Sequence, residues 1–454
     1  MKAAKTADEN YRYYWGQHFD FWVGPTIPDS DPTRAEKMQL LQRVFQMANI
    51  ILECCNNWRN GLIAEPFLWH LTDENGDRVD SEAAQRAEAT LKRWLDWVQE
   101  QSFQADPSTT NFKQSSPWHE FVLSLGVLGE GALRLWQPQR YANNPDDVKR
   151  IHLHAPKCEA VSIVRSSVDG FIDEIRYAYA QGSEKHTLTD TQASVEIDGQ
   201  ADDLAVDTGG RWLIQYVCMP SIITETAKSL QNSINHALTM KLRNNEVAGF
   251  RERVFANAEP PKNGEERGPG RDYYVYGVPT GTQDQPSYAS PEMFESQPVD
   301  TSNLVRSIEL DRAMIYRSFS QAHLLDTDSG ISGESRIQQR QSFELTLNGD
   351  RLRIEAAIAN ILNIVLRLLG HEEFTATVQL QITTGKLSAE ERRSIMEQHN
   401  GQLLSRSTAL ARLGEDDPQA EIILIEEERS QATASPIVAN GLVNPLDAID
   451  RENN

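Results

Sequence analysis

The run from Thr301 to Gly370 constrains this chain more than any other stretch. Leu304, Ile308, Ile315 and Phe319 recur at helical spacing, with Arg306, Arg312 and Arg317 elsewhere on the same surface. They predict a helix that stops near His323. Two glycines, two serines and two aspartates then crowd into Leu324–Gly333, a composition that only a loop accommodates. From Glu334 a second helical pattern begins. Leu347, Ile354, Ile358, Ile361, Val365 and Leu368 form one apolar seam, and Gly370 supplies the stop. Provided Gly349 does not break it, this helix is long enough to brace the body of a domain.

A chain of 454 residues has room for about two or three domains and a sizeable core. It carries 66 acidic against 44 basic residues, a net charge of -22. Such a chain repels DNA and anionic membranes unless its basic residues gather on one face, so tight sequence-specific DNA binding is disfavoured. Cys54, Cys55, Cys158 and Cys218 form no spaced framework, which points to a reducing compartment. Residues 1–10 have no apolar core, so no signal peptide is expected. Glu355, Asn360, Asn363 and Arg367 interrupt the most apolar segment, which reads as a packed helix and not a membrane span.

Seven aromatics in Tyr11–Val23 read as an anchor packed on the main body, or as a stacking platform for carbohydrate or bases. Helices are expected at Ala35–Asn60, ended by Asn60-Gly61, and at Ser81–Gln101 and Pro117–Leu128, with a short strand at Pro66–Leu71. Alternating runs at Ala132–Trp136, Ile151–His154, Ala160–Val164, Ile172–Ala180 and Trp212–Cys218, with glycine turns between, predict an antiparallel sheet region. Pro220–Gly249 reads as a helix capped by Ser221 or Thr224. Leu230, Ile234, Leu238 and Leu242 form its apolar stripe, with Asn232, Asn235, Asn244 and Asn245 lying elsewhere. Seven prolines then punctuate Phe250–Asp300, an insert between two helices whose best strand is Tyr273–Val278; it reads as a compact tip. A strand at Thr375–Thr383 and helices at Leu387–His399 and Gln402–Gly414 follow, the last capped by Ser405 or Ser407, before a polar tail.

Catalytic signatures are missing. Gly126, Gly129 and Gly131 follow a helix and do not spell a dinucleotide fingerprint. Gly385-Lys386-Leu387-Ser388 lacks the rest of a phosphate-binding loop, and Glu334 stands where a nucleophile elbow needs its second glycine. His152 and His154 share a strand face near Cys158, a possible metal pair that lacks a matching second pair. The chain reads as a non-enzymatic α+β protein with no cofactor, no metal and no catalytic residues.

The order of elements, more than any motif, resembles the portal protein of tailed bacteriophages. Tyr13-Tyr14-Trp15-Gly16-Gln17-His18 is similar to the family's N-terminal signature, though Trp15 and His18 make it more aromatic. Asn60–Pro66, Ser332-Gly333-Glu334-Ser335 and Gly401–Glu421 resemble, in turn, the segment before its first strand, the opening of its long helix and its C-terminal helix pair.

The resemblance implies a helix/strand wing (1–220 and 336–384), stem helices (221–250 and 300–319), a small α/β clip (251–299), a tunnel loop (320–335) and a helical crown with tail (385–454). Leu325, Asp326, Thr327, Asp328, Ser329 and Gly330 would form the tunnel loop. Arg306, Glu309, Asp311, Arg312 and Arg317 would sit in the stem, the arginines pairing with those acids and with neighbouring subunits in preference to phosphates. Arg267, Arg271, Tyr273, Tyr274 and Tyr276 would face a partner from the clip. The implied assembly is a ring, usually dodecameric, in the virion at one capsid vertex, assembled in the host cytoplasm. Its partners would be terminase, a head-completion adaptor, the major capsid protein and double-stranded DNA read without sequence specificity, with no membrane. Two other readings compete: a partner-binding adaptor that never encircles DNA, and a hydrolase using scattered carboxylates with His18, His152 or His154.

Overall fold

The computed structural model describes residues 2–23, 27, 30–64, 66–73, 76–104, 116–137, 141, 143–179, 182–201, 205–249, 253–257, 272–275, 290–295, 300–325, 333–384, 389–413 and 421–425. The fold is mixed α+β, in two compact units: Met1–Asp326 with Gln339–Thr384, and Thr327–Gln338 with Gly385–Asn454.

The helices are α1 (Lys2–Tyr14), α2 (Phe19–Val23), α3 (Arg34–Val44), α4 (Ile50–Ile63), α5 (Glu82–Gln104), α6 (Pro117–Leu128), α7 (Glu225–Gly249), α8 (Ser302–Ser318), α9 (Gly333–Leu368), α10 (Ala389–Asn400) and α11 (Arg406–Leu413). The helix expected over Ala35–Asn60 is two helices. Its break at residues 45–49 ends where the Asn49 side chain accepts from Leu52 N (3.0 Å) and caps α4. Asn60-Gly61 does not end α4. Leu347 and the Thr383 carbonyl crowd Gly61, and its own carbonyl accepts from Thr383 N (2.9 Å), so the glycine permits close approach. α6 starts and stops where expected: the Ser116 hydroxyl accepts from His119 N, and Gly129 closes the end at φ 81°.

The strands are β1 (Leu68–Thr72), β2 (Glu130–Trp136), β3 (His152–His154), β4 (Val161–Arg165), β5 (Ile172–Tyr179), β6 (Gly182–Leu188), β7 (Gln192–Ile197), β8 (Gln200–Ala201), β9 (Val206–Asp207), β10 (Ile214–Cys218), β11 (Arg253–Ala256), β12 (Asp272–Val275), β13 (Glu292–Glu295) and β14 (Thr375–Gln379). β10-β2-β3 form one antiparallel sheet. β4 to β8 form a meander, with β9 also on β7. β1 pairs with β14, Leu68 opposite Gln379. In the insert, β11 is central, parallel to β12 and antiparallel to β13.

The largest core in the first unit is built on α9. Leu347, Ile354, Ile358, Ile361 and Val365 are wholly buried against Trp58, Trp94, Phe121 and Leu133, whereas Leu368 lies outside. Gly349 does not break the helix. A second cluster gathers Tyr13, Tyr14, Ile51, Cys54, Ile234, Ile315 and Tyr316 around α7 and α8. In the second unit Ile337, Ile395 and Ala409 pack together, and the Ser405 hydroxyl caps α11 through Thr408 N (3.1 Å). Among the described residues no helix is long and apolar enough to cross a membrane.

Candidate functional site

α7, paired with α8, carries a row of buried polar side chains. Thr224 opens α7 by accepting from Ala227 N (3.2 Å). Lys228, Gln231, Asn235 and Thr239 then follow at spacings of three or four, which stacks them on one face. All four are buried, so each polar group needs a partner. The Gln231 carbonyl accepts from Ile50 N (3.0 Å), and its amide donates to Ala48 O (2.6 Å) and Asn235 Oδ1 (3.1 Å). This ties off the break before α4. The Thr239 hydroxyl donates to Asn235 O (2.8 Å) and accepts from Gln46 N (3.1 Å).

The network reaches the aromatic N-terminal run. Asn235 Nδ2 donates to His18 Nδ1 (3.0 Å), and His18 Nε2 donates to Tyr13 O (2.7 Å). Backbone groups at residues 48 and 50 fix the Gln231 amide, which fixes Asn235 and hence the His18 tautomer: neutral, with the proton on Nε2. Burial pushes the His18 pKa below its ordinary value, opposed by the bond to Tyr13 O. Asn232 Nδ2 donates to the Tyr13 hydroxyl (2.7 Å), and Asn49 Nδ2 to Tyr14 O (2.9 Å). Lys228 Nζ pairs with Glu225 (2.8 Å) and Glu9 (3.4 Å) and lies 5.8 Å from the Tyr13 ring centre. Residues 11–18 are therefore an anchor held by direction-specific bonds. Their aromatic content announced an anchor but not its polar socket. Asn235, assigned away from the packed face, is fully buried, whereas Leu230 and Leu238 of the expected stripe are only partly so. The signal was the four-residue spacing of Gln231, Asn235 and Thr239, a pattern that a solvated face shares.

The five α8 residues divide. Asp311 accepts from the Ser233 hydroxyl of α7 (2.6 Å), and the Arg312 guanidinium lies 5.5 Å from the ring centre of buried Tyr316. Arg306, Glu309 and Arg317 are exposed and make no ion pair among the described residues. Among the described residues neither Arg306 nor Arg317 pairs with Glu309 or Asp311, and Asp311 is bonded to α7. Exposed Leu310 and Met314 stand between Arg306 and Arg317 at helical spacing, giving an apolar face with a guanidinium at each end.

Leu325 closes a short 3₁₀ turn, Ala322–Leu324, and packs on the second cluster. Asp326, Thr327, Asp328, Ser329 and Gly330 lie outside the described residues. In the insert, Tyr274 stacks on Phe255 with ring centres 5.1 Å apart. Tyr273 lies in β12, while Arg267, Arg271 and Tyr276 are outside the described residues.

His152 is buried among Trp97, Tyr141 and Trp136, and His154 lies beside Tyr177. Cys158 donates to Glu130 O (3.0 Å) and contacts the Ser124 hydroxyl. Burial pushes its thiol up to about 11. Among the described residues no group of three His, Cys, Asp or Glu side chains is placed to hold a metal.

No family model and no curated protein sequence matches the chain. Solved structures do match. One is titled "Neck of native GTA particle computed with C12 symmetry": 14% identical, covering 74% of this chain and 91% of that one, at a TM-score of 0.34. A likeness at that TM-score bears on neither mechanism nor partners.

Proposed function

We propose that this chain is a subunit of a head-to-tail connector, a closed ring at one capsid vertex through which double-stranded DNA is packaged and ejected. The observation that carries the reading is the order of elements: α7, a small three-stranded sheet, α8, a short 3₁₀ turn and the long α9. In this reading α7 and α8 are the stem, β11 to β13 the clip, residues 320–335 the tunnel loop, and 385–454 the crown. The clip docks terminase and later a head-completion adaptor, and the wing meets the major capsid protein. The protein is a non-enzymatic conduit.

Physical features support this. A ring is built from heterologous contacts, so each subunit must expose surface that only a neighbour covers. Leu310 and Met314 on α8, and Leu345 and Leu352 on α9, are large apolar side chains left in solvent. Arg306 and Arg317 remain available for carboxylates of the adjacent subunit. The net charge of -22 lowers the adhesion of DNA to the wall of a conduit.

Native mass spectrometry with negative-stain imaging tests the reading. A closed ring of about a dozen copies with a central hole is expected. A protein that stays monomeric or dimeric at every concentration, and beside its DNA-packaging partners, overturns it. Deleting Leu324–Ser332 is expected to leave the ring intact and impair DNA retention.

A further inference from the structure

The turn joining β4 to β5 is built more rigidly than a connecting loop requires. Ser166 N donates to Phe171 O (2.9 Å), and Gly170 N to Ser166 O (3.1 Å). The Ser166 hydroxyl accepts from Val168 N (3.2 Å), and the Asp169 carboxylate from Phe171 N (3.0 Å). Arg165 Nη1 is spent on Gly170 O (3.1 Å), and Gly170 holds φ 76°. This scaffold holds two apolar side chains in water: Val168 is 93% exposed and Phe171 is 74% exposed. A preorganised turn loses little entropy when something docks on it.

Beside the turn lies a cleft of about 680 Å³, with Phe171, Ile172, Leu188 and Trp212 supplying its apolar lining and Asp169 and Asp190 its carboxylates. Backbone and hydroxyl donors hold the Asp169 carboxyl below its ordinary pKa. Asp190 is exposed and has no ion pair among the described residues. Two aspartates against the single Arg165 leave an excess of negative charge over aromatic faces, which is the chemistry that attracts a cationic side chain with an apolar stem.

We propose that the β4–β5 turn and this cleft form a docking site for a partner polypeptide segment carrying an apolar side chain next to an arginine or lysine. The apolar residue packs on Val168 and Phe171, and the basic one enters the cleft toward Asp169 and Asp190. A second copy of this chain is the poorer occupant, since at -22 it brings more negative charge to a site already negative. The site does not depend on the ring reading.

The test is fluorescence anisotropy of a fluorescein-labelled Leu-Arg-Leu-Arg amide on the full-length protein. Saturable binding with a Kd on the order of 100 µM is expected. Phe171→Ser and Asp190→Asn should each weaken it about tenfold with unchanged thermal unfolding, since both positions face water. Glu82→Gln, an exposed site elsewhere with the same change of charge, should leave it unaltered. No saturation by about 5 mM overturns the proposal. So does equal binding of a Leu-Glu-Leu-Glu amide, equal loss in the Glu82 control, or retention by both cleft variants. Self-association abolished by Phe171→Ser would assign the surface to a second copy and likewise overturn it.

Discussion

Two long helices of this protein bury opposite kinds of face. α9 turns Leu347, Ile354, Ile358, Ile361 and Val365 inward; α7 turns Lys228, Gln231, Asn235 and Thr239. Apolar burial is non-directional, so the α9 seam supplies stability while tolerating repacking of similar volume. Hydrogen bonds are directional. The α7 face accepts residues 13–18 and 46–51 in one arrangement only, at a smaller net gain per residue. α9 holds the first unit together, and α7 specifies where its N-terminal segments go.

The sharpest way to break this contrast is charge on the seam. Replacing Ile358 and Ile361 together by Asp should abolish the cooperative unfolding transition followed by circular dichroism; a near-normal transition would refute the α9 packing. Ile358→Ala alone should cost about 2–5 kcal/mol in denaturant titration. Gln231→Leu removes the partner of Asn235 Oδ1 and leaves Ile50 N–H and Ala48 O with only their mutual bond (3.2 Å), and should cost about 1–3 kcal/mol. A loss within error would mean that water replaces the amide and that α7 specifies nothing. Asn49→Ala should cost about 1 kcal/mol or somewhat more, through the lost cap together with the bonds to Tyr13 O and Tyr14 O.

His18 adds a pH dependence that the α9 seam lacks. Below 6.5 the unfolded chain takes up a proton at His18 that the folded chain resists. Stability therefore falls as pH drops from 6.5 toward the depressed folded value, and the contribution is complete only above 6.5. His18→Asn should flatten that part of the stability–pH curve; an unchanged slope refutes the buried neutral imidazole. Gly349→Ala is the smallest change and has the opposite sign. A Cβ there meets nothing within 4 Å, so the helix should gain about 0.5–1 kcal/mol by thermal denaturation.

Local periodicity made much of this fold legible. The α9 seam, the Pro117–Leu128 bounds of α6 and the strand runs feeding β2 to β5 were all visible in the chain. Features decided by distant partners were not. The break between α3 and α4 is stabilised by Gln231, 181 residues away from Ile50. β6, Gly182–Leu188, reads GSEKHTL, too polar to show alternation. Its Glu184 is buried nonetheless, because Arg134 of β2 pairs with it and His186 donates to it. Of the candidate residues on α8, helical position was readable but partner choice was not: Asp311 looked like a mate for arginine and is bonded to Ser233.

The pairing of β1 with β14 has a consequence during synthesis. Thr72 and the carbonyl it bonds at Thr375 are 303 residues apart. At ribosomal rates β1 waits roughly 15–60 s for the strand that covers its edge. Through that interval Leu68–Thr72 is a nascent, unpaired edge beside exposed Trp58 and Leu71 surfaces that α9 has not yet been translated to cover. Chaperone engagement is therefore expected to begin once β1 has emerged, before the α7–α8 pair is made, and to end when β14 is available to cover the edge.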